Sequence, residues 1–202
     1  MHLVNNIFDY TKPSNIIDFD TSNEIQHLAN KLLNNSNNLI DFIKNSFKYV
    51  RDNISHSADI NGKKITCKAS DVLAAKEGIC YAKSHLLAAL LRCKGVPAGF
   101  CYQRLILDDV TAPYLIIHGL NAVYIKETNK WIRLDARGNK PGVNARFSIN
   151  PDNEKLAFLV RTEMGEEDIP YIFATPDVGV VKVLTEENNI NDLWTNLPQN
   201  LI

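Results

Sequence analysis

Glu77-Gly78-Ile79-Cys80-Tyr81-Ala82-Lys83-Ser84-His85-Leu86-Leu87-Ala88-Ala89-Leu90-Leu91-Arg92-Cys93-Lys94-Gly95-Val96-Pro97-Ala98 is the stretch that decides the fold of this 202-residue chain. Ala82, Leu86, Leu87, Ala89, Leu90 and Cys93 recur at helical spacing, which predicts a helix over Cys80 to Lys94. Gly95 closes it at the left-handed position, and Pro97 stops its continuation. Cys80 therefore opens the helix. The free N–H groups and dipole of a helix N-terminus stabilise a thiolate, the reactive form of cysteine. The same N–H groups can hold the oxyanion of a tetrahedral intermediate. Gly78, two residues earlier, would let a substrate backbone approach. Against this stands the ordinary fate of a free cysteine, which is to be a buried packing residue.

Upstream, Ile25, Leu28, Ala29 and Leu32 predict a helix over Ser22 to Leu33, and Leu39, Phe42, Ile43, Phe47 and Val50 predict a second running to Asn53. The Asn-rich stretch Asn34 to Asn38 is the loop between them, with Ser36 or Asn37 as N-cap. Residues 54–68 read as irregular around an Asn61-Gly62 turn, and Ser70 to Ala75 as a short helix capped by Ser70 and ended by Gly78. Downstream the period changes. Ala98 to Leu107, Tyr114 to Lys126 and Trp131 to Asp135 read as strands, the last two joined as a hairpin through Glu127 to Lys130. Lys155 to Arg161 and Tyr171 to Ala174 are further candidate strands. Helices first and an antiparallel sheet second predict an α+β fold, with the sheet packed on the Cys80 helix.

A nucleophilic cysteine needs a base within hydrogen-bond reach and a carboxylate to orient that base. His118, inside the apolar run Leu115 to Leu120, and Asp135, ending the next strand, are the candidates. Alone, His118 reads as a satisfied core histidine and Asp135 as the start of a turn. A hairpin centred on Thr128-Asn129 sets Asp135 opposite Ala122, roughly 13 Å along the strand from His118. Spacing by itself therefore requires a bulge, a longer loop or strong twist to close the triad.

The combined motif resembles the core of the transglutaminase-like superfamily. The matching residues are Ala69 to Leu73, the Gly78-Ile79-Cys80 turn with its helix, Leu91-Arg92-Cys93-Lys94-Gly95-Val96-Pro97-Ala98, His118 on a strand, and Trp131-Ile132-Arg133-Leu134-Asp135. The resemblance covers about residues 40–140. It implies a papain-like fold in one domain over residues 1–202, with Cys80 as nucleophile, His118 as base and Asp135 as orienter. Leu120 and Ala122 stand where such families often carry an aromatic residue and an acid. The side-chain oxyanion donor is open among Tyr49, Asn53 and His56. His85, five positions after Cys80, faces elsewhere on the helix, while His27 and His2 read as surface residues. Gln103 and Arg104 read either as substrate contacts or as a solvated edge, and Trp131 as core.

Composition narrows the function classes. Twenty-two basic against twenty-three acidic residues leave a formal charge of -1, which gives no electrostatic footprint for nucleic acid or an anionic membrane. No apolar stretch is long enough to span a bilayer, and the first residues lack a signal-peptide pattern, so a cytoplasmic protein is expected. Cys67, Cys80, Cys93 and Cys101 form no C-x-x-C pair, so no structural zinc is expected, and no acidic loop suggests calcium. Cys67, Cys93 and Cys101 read as packing thiols, and no cofactor is expected. The resulting expectation is a cysteine hydrolase or acyl transferase acting on a peptide, protein or small amide substrate through a thioester, with hydrolysis favoured. The competing expectation is an inactive binding module of the same fold for a peptide or protein partner, favoured by Leu120 and Ala122.

Overall fold

The computed structural model describes residues 1–202. In chain order the elements are β1 (His2–Leu3), α1 (Asn23–Asn34), α2 (Leu39–Asn53), β2 (Ser55–His56), α3 (Ala69–Ala75), β3 (Glu77–Gly78), α4 (Cys80–Arg92), β4 (Ala98–Asp108), β5 (Ala112–Ile125), β6 (Lys130–Leu134), β7 (Glu167–Phe173), α5 (Val178–Glu186) and α6 (Ile190–Thr195). The fold is α+β, as the order of helical and alternating patterns predicts. A five-stranded sheet runs β1-β7-β4-β5-β6, antiparallel except for the short parallel β1–β7 pair.

The helix starts depend on side-chain caps. Ser22 accepts from Ile25 N at 3.3 Å and opens α1. Asn38, rather than Ser36 or Asn37, caps α2 by accepting from Asp41 N at 2.9 Å. The Ser36 hydroxyl instead turns back to Leu32 O, and the Asn37 amide donates to Asp41. Ser70 caps nothing, because its N–H and hydroxyl are both taken by Asp18, 52 residues earlier in the chain. Helix α3 ends at Lys76, held left-handed at φ 57°, and not at Gly78, which lies in β3. A Cβ at Gly78 would meet Thr66 Oγ1 at 2.9 Å and Ala82 Cβ at 3.0 Å, so internal packing and not substrate approach requires this glycine.

Helix α4 is buried from Tyr81 to Arg92, polar residues included. Gly95 (φ 72°) ends its C-terminal turn, with Val96 N donating to Leu91 O at 3.1 Å. The guanidinium of Arg92 binds the carbonyls of Ala98 and Ala174 and so ties the end of α4 to the sheet. His85 Nδ1 lies 2.8 Å from Cys67 O, away from the N-terminus of α4. Forty buried residues between Ile17 and Leu197 form one contiguous core around α4. Tyr10, Cys101, Leu120, Ala122, Ile172 and Ala174 form a smaller cluster with Trp131 against it.

Two strand expectations are corrected. Lys155 to Arg161 is not a strand. Its only bridge is Arg146 with Lys155, and two residues on, Ala157 N donates to Asp135, the residue after β6. The last strand, β7, starts at Glu167 and not at Tyr171.

Candidate active site

Cys80 is the first residue of α4, with Ile79 as an N-cap that offers no side-chain bond. The leading N–H groups of α4 are thus free of a side-chain partner at the cysteine. Cys80 is half-buried and lines a cleft of about 660 Å³ together with His118, His56, Arg137, Phe158 and Trp194.

The hairpin register settles how His118 and Asp135 meet. Asn121 pairs with Leu134 and Ala122 with Arg133, so Asp135 falls opposite Leu120 and not opposite Ala122. The four-residue turn 126–129, with Asn129 left-handed at φ 53°, makes the difference. Two residues of strand, roughly 7 Å, remain to be spanned instead of roughly 13 Å. The side chains close it: His118 Nε2 lies 2.8 Å from Asp135 Oδ2. Asp135 also accepts from Arg137 N at 3.0 Å and Ala157 N at 3.1 Å, so its carboxylate is fixed on three sides.

With Nε2 engaged, Nδ1 is the imidazole nitrogen left for Cys80, which lines the same cleft as His118. His118 is buried, which disfavours its charged form, yet the Asp135 carboxylate and Cys80 together push it up to about 10. Burial raises Asp135, but His118 and the two backbone donors hold it below the usual carboxylate range. Each partner thus favours the charged form of the other. The ring of Phe158 stands edge-on to His118, with centroids 5.1 Å apart, and covers the pair.

Of the three upstream donor candidates, only His56 opens onto the cleft. The short parallel pairing of β2 with β3 sets His56 beside Gly78, two residues before Cys80. Its Nδ1 accepts from Ala58 N at 3.3 Å, so the proton resides on Nε2. Burial and the charge of Arg137 push His56 down to about 3, which leaves it a neutral donor at physiological pH. Tyr49 instead receives Lys76 Nζ at 2.7 Å on another face, and Asn53 is exposed and donates to Tyr49 O. Lys83, one turn beyond Cys80, is fully buried and donates to Ile54 O and Arg51 O at the end of α2. Burial pushes its ammonium down to about 7.

Leu120 and Ala122 pack in the smaller core cluster, outside the cleft. Gln103 is buried and donates to Asp168 at 2.9 Å, while Arg104 faces Glu167; neither lines the cleft. Trp131 packs against Tyr10 with centroids 5.1 Å apart. Cys67, Cys93 and Cys101 are free thiols, all pushed up by burial, Cys67 and Cys101 to about 12. No group of three or more His, Cys, Asp or Glu side chains converges as metal ligands would, and no helix is long and apolar enough to cross a membrane.

The parts of the cleft that sequence patterns did not reveal come from loops and from the C-terminal segment. Ala157, Phe158 and Arg137 lie in non-repetitive chain, and Trp194 and Leu197 come from the weakly patterned C-terminal segment. Their positions depend on contacts with distant elements, which periodicity does not encode.

A family model described as the transglutaminase-like superfamily matches residues 26–136, more than half of the chain and including Cys80, His118 and Asp135. The chain belongs to this superfamily. Among solved structures, a candidate cysteine protease from Cytophaga hutchinsonii is similar at 22% identity and a TM-score of 0.53, over 65% of this chain and 42% of that one. A candidate protease from Parabacteroides distasonis aligns at 17% identity and a TM-score of 0.43, over 78% and 29% of the two chains. The periplasmic domain of TgpA from Pseudomonas aeruginosa, bound to ethylmercury, aligns at 14% identity and a TM-score of 0.45, over 63% and 46%. The likeness to the Cytophaga protein is one of fold. This transglutaminase-like chain spans less than half the length of each of these structures. No curated protein sequence matches it.

Proposed function

We propose that this transglutaminase-like protein is a cysteine hydrolase of amide or peptide bonds, with Cys80 as nucleophile, His118 as general acid and base, and Asp135 as the orienting carboxylate. The observation that carries the reading is the 2.8 Å His118–Asp135 hydrogen bond in the cleft that Cys80 lines from the start of α4. His118 holds the thiol proton as an imidazolium, and the thiolate sulfur bonds to the substrate carbonyl carbon. The carbonyl oxygen becomes an oxyanion facing the free N–H groups at the start of α4, with His56 Nε2–H as a second donor. As the C–N bond breaks, His118 gives its proton to the leaving amine and a thioester remains on Cys80. Water, deprotonated by His118, then attacks the thioester. The acid product leaves and the thiol is restored.

The feature that favoured an inactive binding module does not touch the cleft, because Leu120 and Ala122 are core residues. The test is iodoacetamide labelling read by mass spectrometry, with the other three cysteines as internal references. Cys80 should label at least about tenfold faster than Cys67, Cys93 or Cys101, and His118→Ala should remove that advantage. Cys80→Ala should abolish hydrolysis of peptidyl amides while leaving the far-UV circular dichroism unchanged. A Cys80 that labels no faster than Cys93, or a rate indifferent to His118→Ala, would falsify the mechanism.

A further inference from the structure

We propose that the cleft selects substrates carrying a bulky, uncharged side chain next to the reacting carbonyl, seated in an apolar subsite formed by Leu105, Ile116, Phe158, Leu159 and, from the C-terminal segment, Leu197. The inference rests on the catalytic reading of Cys80 and adds the substrate class.

Three observations carry it. The first is apolar surface that folding does not use. Leu159 is 85% exposed and Leu107 is 37% exposed, yet both line the cleft that holds Cys80. The apolar wall reaches the reacting groups themselves, since Phe158 lies edge-on to His118 and Leu159 follows it in the chain.

The second is charge. Every ionic side chain lining the cleft outside the reacting groups already has a partner. Arg161 binds Asp109 at 2.8 Å and Glu166 at 2.6 Å. Arg137 and Lys140 both bind Asp59. Asp108 accepts from Val110 N and from the N–H and hydroxyl of Thr111. A charged substrate side chain entering the subsite would lose water and have to compete with these contacts for its counter-ion, whereas an apolar one would find exposed apolar surface at Leu159.

The third is the C-terminal segment. Ile117 N, one residue before His118, donates to Pro198 O at 2.7 Å. The edge of β5 is therefore already covered there, and a substrate cannot add to it as a further strand at that point. The same segment brings Leu197 into the cleft wall and stacks Trp194 on His56, with centroids 6.4 Å apart. Recognition is left to side-chain contact in the subsite, and residues 194–198 help to determine specificity.

The test uses four dipeptidyl vinyl sulfones that differ only in the side chain next to the electrophile: Leu, Gln, Lys and Glu. Second-order modification of Cys80 is followed by intact mass spectrometry, with iodoacetamide run in parallel. The Leu probe should react about thirtyfold faster than the Lys or Glu probe and about tenfold faster than the Gln probe. Leu159→Lys, at an exposed position, should lower the Leu-to-Glu ratio by about tenfold or more. Equal rates for all four probes, or the fastest rate with Gln, Lys or Glu, would overturn the subsite while fast iodoacetamide labelling left the catalytic reading standing. Slow labelling of Cys80 by iodoacetamide would defeat the catalytic reading and this inference with it.

Discussion

His118 and Asp135 make a buried ionic pair whose strength depends on pH in a defined direction. His118 has an ordinary value of 6.5 and is raised to about 10 in the fold, so its stabilising contribution is complete below 6.5 and is lost as pH rises through about 10. Asp135 is lowered from 3.8, so its contribution is present above 3.8 and lost as pH falls below it. Both contributions are therefore complete between about pH 4 and 6.5. The stability advantage of wild type over His118→Gln, measured by urea unfolding, should reach about 3 kcal/mol near pH 5.5 and shrink toward pH 10. A difference that stayed constant over that range would mean that the pair is not ionised. His56 has the opposite character, because burial keeps it neutral with its proton on Nε2. His56→Ala should lower kcat by about a hundredfold or more if it donates to the oxyanion. His56→Gln, which keeps a donor, should recover part of that loss, whereas equal losses in the two variants would assign His56 a packing role. The residue types and order of the site were legible in the sequence, but the contact was not. It depended on a two-residue difference in hairpin register, and the choice of His56 over Tyr49 depended on the pairing of β2 with β3.

At the scale of elements, the site depends on how closely α4 approaches β5. Gly119 faces the helix, and a Cβ there would lie 2.7 Å from Tyr81 Cδ1. Tyr81 in turn donates its hydroxyl to Ile117 O, so the helix is pinned to the strand on either side of His118's own backbone position. Gly119→Val should cost about 1–3 kcal/mol of stability by overpacking. It should also lower the Cys80 alkylation rate, because widening this contact separates thiol from imidazole. Urea unfolding and labelling on the same sample check both effects; a destabilised variant with an unchanged labelling rate would show that α4–β5 spacing does not control the pair. Elements whose reasons are local were readable in advance: α4 from its apolar spacing with Gly95 and Pro97, and β5–β6 from its alternation and polar turn. Elements with distant reasons were not. Ser70 looks like an N-cap until Asp18 claims it. Residues 155–161 look like a strand, but Ala157 N donates to the Asp135 carboxylate in place of a ladder partner.

The whole molecule is organised around one core, and that bears on how it unfolds. Residues from Ile17 to Leu197 share a single cluster, so the N-terminal helices, the sheet and α5–α6 bury the same surface. Arg92 adds a polar tie between α4, the loop at Lys12, β4 and Ala174. Elements coupled in this way should lose structure together. The two tryptophans report from different places: Trp131 beside Tyr10 on the smaller cluster, and Trp194 on His56 at the cleft. Thermal unfolding followed by fluorescence in Trp131→Phe, where Trp194 is the reporter, should therefore share its midpoint with far-UV circular dichroism of the same variant. The same agreement is expected in Trp194→Phe, where Trp131 reports. A lower fluorescence midpoint confined to Trp131→Phe would mean that the C-terminal segment leaves the core before the sheet melts. The cleft wall would then be a separately unfolding unit, and the single-domain organisation over residues 1–202 would fail.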